Sequence, residues 1–287
     1  MKYRKCFIFI FLISSYAIAQ TNRALIIGIG SYPSETGWTQ IHGDNDVPII
    51  AESLLGIGFN KDNIKTLTNS EATKSGIVIG LKNLISTCQK NDNIYIHFST
   101  HGQQVIDGNG DEEDGFDEAI IPYDAYKEYK KGVYSGENHL TDDELNIYLN
   151  SIKKAIGENG NLIVIIDACH SGGGTRSEED SVVTRGTSAK FNHAIKVVGS
   201  KKQMKLNWVA ISASQSYQTN YEYRFNGTYY GSLSYAVKLA FSELTKNETI
   251  EEFFTIIEQK REQMKVSKYP QTPSLEGENM YLQKKIF

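Results

Sequence analysis

Short, continuous apolar runs alternate along the chain with stretches whose apolar residues recur every three or four positions. The continuous runs predict buried strands at 23–29, 63–68, 93–99, 162–166 and 208–211. The helical spacing predicts helices from about 45 to before Gly56, and at 73–89, 141–152, 232–244 and 249–264. This alternation predicts an α/β fold with a mostly parallel central sheet of about six strands and helices on both faces.

Four other segments complete the pattern. Residues 118–122 predict a further short strand, and residues 280–286 are expected to close the sheet. Two stretches have no clear periodicity and are predicted to be weakly structured: 103–118, which is very acidic, and 173–206, which is rich in Gly, Ser, Lys and Arg.

The first nineteen residues do not follow this pattern. Three basic residues among the first five precede the apolar run 6–13, and Ala17 and Ala19 fit a small-residue cleavage site. The apolar run is too short to span a bilayer comfortably. We therefore expect a signal peptide at 1–19 and a secreted or periplasmic mature chain at 20–287 that has no membrane contact after cleavage. An uncleaved anchor is the alternative.

Composition narrows the class of protein. A chain of 287 residues that is 40% hydrophobic and 22% charged is typical of a globular protein. Its three cysteines exclude a disulfide-built scaffold, and cleavage of the signal peptide would leave only Cys88 and Cys169. With 30 basic against 34 acidic residues, the net charge of −4 argues against a nucleic-acid partner.

Two of the predicted strands end in reactive side chains. The strand 93–99 leads into His101 and Gly102, and the strand 162–166 leads into Cys169. Because parallel strands end at the same edge of a sheet, His101 and Cys169 are predicted to meet there. An imidazole can deprotonate a nearby thiol, which predicts a nucleophile–base dyad. The backbone N–H groups of Gly102 and Cys169 are expected to form an oxyanion hole.

Each of these residues also has a structural interpretation. A single strand-end cysteine is commonly an inert buried residue, and a single histidine commonly satisfies a local hydrogen bond. His170 is a competing base, but neighbouring side chains on an extended chain point in opposite directions, which favours His101 as the partner of Cys169. His97 and Cys88 are interpreted as structural.

These motifs carry a family resemblance. Ser-Thr-His-Gly after one strand and Asp-Ala-Cys-His-Ser-Gly after another resemble the caspase-fold cysteine peptidases of clan CD, family C14, above all the metacaspases and their bacterial relatives, the orthocaspases. The different cysteine signature of true caspases is absent. The resemblance implies a caspase-like fold, with Cys169 as nucleophile and His101 as general base and then acid. The implied parts of the single peptidase domain 20–287 are a large-subunit-like part (about 20–176), a flexible loop (177–206) and a small-subunit-like part (207–287).

The resemblance also implies where the substrate binds. It places Asp46 and Asp167 near the P1 side chain, the residue before the cleaved bond, and Ser99 is expected to add a hydrogen bond there. Two carboxylates in one slot attract a long cation, so the expected substrates are peptides or proteins with Arg or Lys at P1. The alternatives are a helix N-cap for Asp46 and a strand-end acid bonded to backbone for Asp167.

The basic segment 173–206 is a candidate for self-cleavage. Arg185, between Thr184 and Gly186, is the expected site for a protease that cuts after basic residues. An uncut surface loop is the alternative.

A run of acids predicts a cation site. Residues 107–118 imitate an EF-hand loop, but the sixth position lacks the required Gly, so a true EF-hand is rejected. Resemblance to calcium-activated metacaspases implies Ca²⁺ as an activator at Asp117, Asp142 and Asp143, whereas the chemistry itself requires no cofactor. The fourth acid of the family pattern is displaced here to 178–180, and the alternative is a set of solvated acids at a helix start.

Three functions follow, from different classes. The first is a secreted, monomeric cysteine endopeptidase that cuts after Arg or Lys through an acyl-enzyme, is calcium-activated and processes itself. The second is an Arg-specific peptidase of the clostripain type with the same dyad. The third is a catalytically silent caspase-fold module that binds a partner.

Overall fold

The computed structural model describes residues 20–110, 112, 114–169, 183–195, 206–215, 217–245, 247–264 and 271–287, so the predicted signal peptide lies outside the described residues. Within these ranges the strands are β1 (Asn22–Gly28), β2 (Ile64–Thr68), β3 (Asn93–Ser99), β4 (His101–Ile106), β5 (Phe116–Ile121), β6 (Leu140–Thr141), β7 (Asn161–Asp167), β8 (Val183–Thr184), β9 (Val209–Ser212), β10 (Tyr221–Phe225), β11 (Thr228–Gly231) and β12 (Ser274–Glu276). The α-helices are α1 (Gly43–Gly56), α2 (Lys74–Thr87), α3 (Asp142–Ile156), α4 (Ser232–Phe241), α5 (Ile250–Gln263) and α6 (Asn279–Leu282).

The central sheet has the strand order β12-β9-β7-β3-β1-β2, and every neighbouring pair is parallel except β12 with β9. The predicted α/β fold with a mostly parallel six-stranded sheet is confirmed. The register pairs Gly28 with Ser99 and Ser99 with Asp167. The carboxyl ends of β1, β3 and β7 are therefore level, at the edge where ligands bind in sheets of this kind.

Helices cover both faces of the sheet, as predicted. Because side chains alternate between the two faces of a strand, Ala24 and Ile26 share a core with α1, α4 and α5, whereas Leu25 and Ile27 share one with α2 and α3. Two of the helices begin at the threonines that the sequence indicates: Thr73 and Thr141 accept hydrogen bonds from backbone N–H groups of the first turn. No helix in the described part of the chain is long and apolar enough to cross a bilayer.

The prediction that residues 280–286 close the sheet is wrong. The closing strand is β12, antiparallel to β9, and residues 279–282 form the short helix α6. Tyr281 and Ile286 are buried in the core. The apolar residues that suggest a strand there therefore face the interior from a helix and the segment after it.

A second difference lies directly after β3. His101 begins strand β4, which pairs antiparallel with β5 in a separate three-stranded sheet completed by β6. The acidic stretch 103–118, predicted to be weakly structured, is thus a strand at both of its ends. Val105 and Ala119 are fully buried there, but the alternation is too short to predict a hairpin.

A third difference concerns the predicted flexible loop 177–206. Its described part, 183–195, packs against the rest of the chain: β8 pairs antiparallel with β10, and Arg185 and Phe191 are fully buried. The Tyr-rich stretch beyond it forms the β10–β11 hairpin.

Candidate active site

The two predicted strand ends converge on one carbonyl group. The backbone N–H of Cys169 donates a hydrogen bond to the carbonyl oxygen of Arg185 at 2.9 Å, and that of Gly102 donates to the same oxygen at 3.3 Å. The two groups predicted to form the oxyanion hole therefore hold a peptide carbonyl of the chain itself. The edge of the parallel sheet brings them together, because β3 and β7 end at the paired residues Ser99 and Asp167.

The peptide bond after Arg185 lies against the cysteine. A Cβ atom added to Gly186 would lie 3.0 Å from the Cβ of Cys169 and would collide with its carbonyl oxygen. Only a residue without a side chain fits this approach without movement. The Arg185–Gly186 peptide bond thus lies next to Cys169.

Cys169 is buried, and in the described part of the chain neither it nor Cys88 forms a disulfide. Its Sγ donates a hydrogen bond to the carbonyl oxygen of Gln218 at 3.1 Å. This contact stabilises the protonated thiol, so activation requires the proton to move to another acceptor.

His101 is positioned by aromatic rings and by one backbone carbonyl. Its ring stacks on Trp38 with centroids 4.8 Å apart, and Nε2 lies 2.9 Å from the carbonyl oxygen of Thr39. This contact assigns the proton to Nε2 and leaves Nδ1, which is buried without a hydrogen-bond partner among the described residues, as an acceptor. Burial lowers the pKa of His101 to about 4. The imidazole is therefore neutral near pH 7 and can accept a proton.

The side chain of Arg185 fills an acidic pocket. The three residues predicted to surround a P1 side chain, Asp46, Asp167 and Ser99, form it. Its Nη2 lies 2.8 Å from Oδ2 of Asp46, and its Nη1 lies 3.6 Å from Oδ2 of Asp167. Nη1 also donates to Oγ of Ser99 at 2.5 Å. All four side chains are fully buried.

The N-cap alternative for Asp46 is wrong. The N-cap of α1 is His42, and Asp46 lies inside the helix. Its carboxylate also accepts hydrogen bonds from Oγ of Ser99 at 2.5 Å and from the backbone N–H of Gly231 at 3.1 Å. Asp46 is thus held toward the pocket.

Asp167 fits both of its interpretations, as an acid of the substrate pocket and as a strand-end acid bonded to backbone. Its Oδ2 accepts hydrogen bonds from the backbone N–H and the Oγ of Ser234, at 2.8 and 2.6 Å, and Oδ1 accepts one from Asn220 at 2.7 Å. These bonds fix the carboxylate beside the guanidinium of Arg185. Gly231 closes the wall, because a Cβ atom added there would lie 2.6 Å from Nη1 of Arg185.

A third carboxylate in the pocket was not predicted. Oε1 of Glu222 accepts from Nε of Arg185 at 2.8 Å and lies 2.7 Å from its Nη2. The backbone N–H of His42 donates to the same oxygen at 2.8 Å, and its Nδ1 lies 2.6 Å from Oε2. Glu222 is the single acid of strand β10 and lies between two tyrosines, and that position is the only sequence signal of its role.

The charges in the pocket depend on one another. Burial raises the pKa of Asp46 to about 7, although the nearby guanidinium opposes this shift. Burial also acts to raise the pKa of Glu222, but Arg185 and His42 outweigh it and hold that pKa at about 2. Burial opposes the charge of Arg185, yet the carboxylates of Asp167, Asp46 and Glu222 raise its pKa. Three buried carboxylates around one slot make it a site for a cation.

The acids expected to bind calcium lie near one another, and within the described residues they do not complete a ligand set. Burial and the charges of Glu118, Asp117 and Asp143 raise the pKa of Asp142 to about 8. Oδ2 of Asp143 accepts a hydrogen bond from the side chain of Asn109 at 2.5 Å. In the described part of the chain, no three His, Cys, Asp or Glu side chains converge closely enough to hold a metal ion. The displaced acids at 178–180 lie outside the described residues.

A cysteine and a histidine at the ends of adjacent strands, on a mostly parallel sheet with helices on both faces, define the caspase-like class of cysteine peptidases. The family model for the metacaspase peptidase C14 domain matches residues 22–176, which is more than half of the chain. The chain therefore belongs to the metacaspase family of C14 peptidases. Arg185 and Glu222 lie beyond the matched range.

Fungal metacaspases are similar over about half of the chain. Metacaspase-1A of Aspergillus oryzae is 33% identical over 165 residues, which cover 54% of this chain and 36% of that protein. Metacaspase-1B of Aspergillus fumigatus is 34% identical over 159 residues, which cover 52% and 35%. The chain thus matches about a third of the length of these relatives.

A solved structure shares the fold over nearly its whole length. The crystal structure of protein GSU0716 from Geobacter sulfurreducens superimposes with a TM-score of 0.63, and the match covers 92% of this chain and 97% of that one. At 19% sequence identity, this likeness concerns the fold alone.

Proposed function

We propose that this chain is a cysteine endopeptidase that hydrolyses peptide bonds after Arg or Lys, and that its first substrate is its own Arg185–Gly186 bond. One observation carries the proposal. The guanidinium of Arg185 fills the acidic pocket while its carbonyl oxygen accepts hydrogen bonds from the N–H groups of Gly102 and Cys169. A P1 side chain in a specificity pocket and its carbonyl in an oxyanion hole are the two contacts that acyl transfer requires.

The proposed reaction uses these groups in turn. The thiol of Cys169 leaves the carbonyl of Gln218 and transfers its proton to Nδ1 of His101, and the thiolate then attacks the carbonyl carbon of Arg185. The backbone N–H groups of Gly102 and Cys169 stabilise the oxyanion that forms. The imidazolium returns its proton to the amide nitrogen of Gly186 as the C–N bond breaks. Water hydrolyses the thioester and regenerates the thiol.

The remaining parts of the proposal rest on the sequence. The segment 1–19 supports secretion, and the resemblance of Asp117, Asp142 and Asp143 to the metacaspase calcium site supports activation by Ca²⁺. The proposed substrates in trans are peptides or proteins, and the proposed state is a monomer. The metacaspase match favours this function over a clostripain-type peptidase, and the placement of His101 and Cys169 argues against a silent module.

Mass spectrometry of the purified wild type and of Cys169→Ala, each with and without Ca²⁺, tests the proposal. The wild type is expected to yield fragments that end at Arg185 and begin at Gly186, and Cys169→Ala is expected to remain intact. Cleavage that is faster with Ca²⁺ would support the proposed activation by calcium. Cys88→Ala is the matched control and should cleave like the wild type. An alanine variant at Cys169 that still cuts after Arg185 would contradict the proposal.

Glu222 is expected to make the pocket prefer Arg over Lys. It contacts Nε and Nη2 along one edge of the guanidinium, and a lysine ammonium cannot reproduce this paired contact. We expect Glu222→Gln to reduce kcat/KM for an Arg-P1 peptide by about 10- to 100-fold, and for the matching Lys-P1 peptide by much less. The exposed Glu52→Gln on α1 is the control. Equal losses on both peptides would show that Glu222 does not discriminate.

A further inference from the structure

The chain that follows the proposed cut lies along the free edge of β4. Gly186 and Phe191 form parallel bridges to Gly102 and Val105, respectively. The backbone N–H of Phe191 donates to the carbonyl oxygen of Gln104 at 2.9 Å. β4 is an edge strand of its sheet, so the backbone groups along that edge are available to a peptide added beside it.

Phe191, six residues after the proposed cut, occupies an aromatic pocket. Its side chain is fully buried. Its ring centroid lies 4.5 Å from that of His139 and 5.9 Å from that of Tyr134, with the Tyr134 ring edge-on. Gly136 closes the pocket with a φ of 98°, and a Cβ atom added there would lie 2.9 Å from the phenylalanine ring. The pocket therefore fits a flat apolar side chain closely.

The polar atoms of the pocket wall are bonded to one another. Nδ1 of His139 lies 2.8 Å from the hydroxyl of Tyr134, and Nε2 lies 3.0 Å from Oε1 of Gln103. Burial lowers the pKa of His139 to about 3, so the ring is neutral. The amide of Gln103 in turn donates to the carbonyl oxygen of Ala189 at 2.8 Å. Gln103, which is buried, thus bonds both His139 in the pocket wall and the backbone of the segment that leads to Phe191.

We propose that β4 and this pocket form a primed-side subsite for an aromatic side chain six residues after the cleaved bond. In the chain itself Phe191 occupies the subsite, and it remains there after the cut at Arg185. The inference rests on the proposed function. Breaking the Arg185–Gly186 bond leaves the packing and hydrogen bonding of Phe191 intact, and a tethered segment competes at millimolar effective concentration. Self-processing therefore leaves the primed groove covered.

Two peptides and two processed enzymes test the subsite. One peptide has the sequence of residues 183–194, and the other has alanine in place of its phenylalanine. The processed Phe191→Ala variant, whose pocket is empty, is expected to cleave the phenylalanine peptide with a kcat/KM about tenfold higher than the alanine peptide. The wild type, whose pocket is filled, is expected to cleave both at the same rate. A chromogenic Arg amide without primed residues should be hydrolysed equally by both enzymes.

The outcomes separate the two proposals. Equal kcat/KM on both peptides for Phe191→Ala would overturn the subsite, and a phenylalanine preference in the wild type would overturn the retained occupancy. Failure of both enzymes to hydrolyse the Arg amide would overturn the proposed function.

Hydrogen exchange of the wild type, before and after processing, supplies a readout that needs no variant. Protection of the Phe191 amide should survive the cut, and its loss would overturn the inference even if Phe191→Ala fails to fold. Val133→Ala, which alters an exposed side chain next to Tyr134 in the sequence, is the control.

Discussion

Replacement of Arg185 by alanine in the uncleaved Cys169→Ala chain is expected to lower the free energy of unfolding by about 3–5 kcal/mol. The guanidinium is fully buried among Asp46, Asp167 and Glu222. Its removal would leave three carboxylates in a closed pocket without a counter-charge, and burying unpaired charge costs more free energy than the ion pairs themselves contribute. Urea unfolding of the two chains at pH 8 measures the difference.

The matched control is Arg224→Ala in the same background. Arg224 is exposed on the neighbouring hairpin and donates only to the carbonyl oxygen of Gly227 among the hydrogen bonds found in the described chain. Its loss is expected to change stability by less than about 0.5 kcal/mol. A small guanidinium compound such as agmatine should raise the melting temperature of the Arg185→Ala chain and leave that of its parent unchanged. A loss below about 1 kcal/mol at Arg185 would show that the pocket tolerates being empty.

The stability difference should also depend on pH. The pKa of Asp46 in the folded chain is about 7, above the ordinary aspartate value of 3.8. Between these values the folded state binds a proton that the unfolded state does not, so acidification through this range favours folding through Asp46. The guanidinium lowers this pKa, so its loss raises the pKa further in the variant. The deficit of the Arg185→Ala chain is therefore expected to shrink as the pH falls from 8 to 5.

Asp46→Asn is expected to reduce kcat/KM for an Arg-P1 peptide by about 100- to 1000-fold. The substitution keeps the shape of the side chain and removes the charge that lies 2.8 Å from the guanidinium. The steady-state rate on a peptide with the residues of the self-cleavage site measures the effect. Asp44→Asn, in the same first turn of α1, is the control and should stay within about threefold of the wild type, because Asp44 bonds Asn69 and lies outside the pocket.

The pH–rate profiles of the wild type and of Asp46→Asn show whether the lower rate comes from the lost charge or from a folding defect. In the wild type, hydrolysis should fall as the pH decreases and Asp46, whose pKa is about 7 with a guanidinium in the pocket, takes up a proton. His101, with a pKa of about 4, stays neutral over this range. The Asp46→Asn profile should lack this acid limb. A profile that keeps the limb would assign it to another group, and full activity of Asp46→Asn would remove Asp46 from the specificity pocket.

Local patterns in the sequence predict the sheet and the dyad. The continuous apolar runs at β1, β3 and β7 reflect burial on both faces, and parallel pairing alone brings the residues that follow Ser99 and Asp167 to one edge. The prediction of Arg185 as a cleavage site rests on its flanking residues and its basic surroundings.

The contacts that complete the site are long-range and carry no local signal. Glu222 meets Arg185 across 37 residues and His42 across 180, and the ring of Phe191 packs on that of His139, about 50 residues before it. The sequence also gives no sign of strand β4. Only one of its six residues, Val105, is both apolar and buried, and such a segment resembles a loop. Pairings of this kind are decided by the tertiary fold and not by periodicity.

The absence of a side chain at Gly186 ties the proposed self-cleavage to two neighbouring residues, Arg185 and Gly186. A methyl group there would meet the backbone of Cys169, so in the uncleaved chain the basic residue in the acidic pocket is followed by one that leaves that space empty. Among the 30 Lys and Arg residues of the sequence, only Lys131 and Arg185 precede a glycine. Few basic positions of this chain could therefore take the place of Arg185 in the proposed self-cleavage, so the shape of one stretch of backbone would confine the cut to one bond.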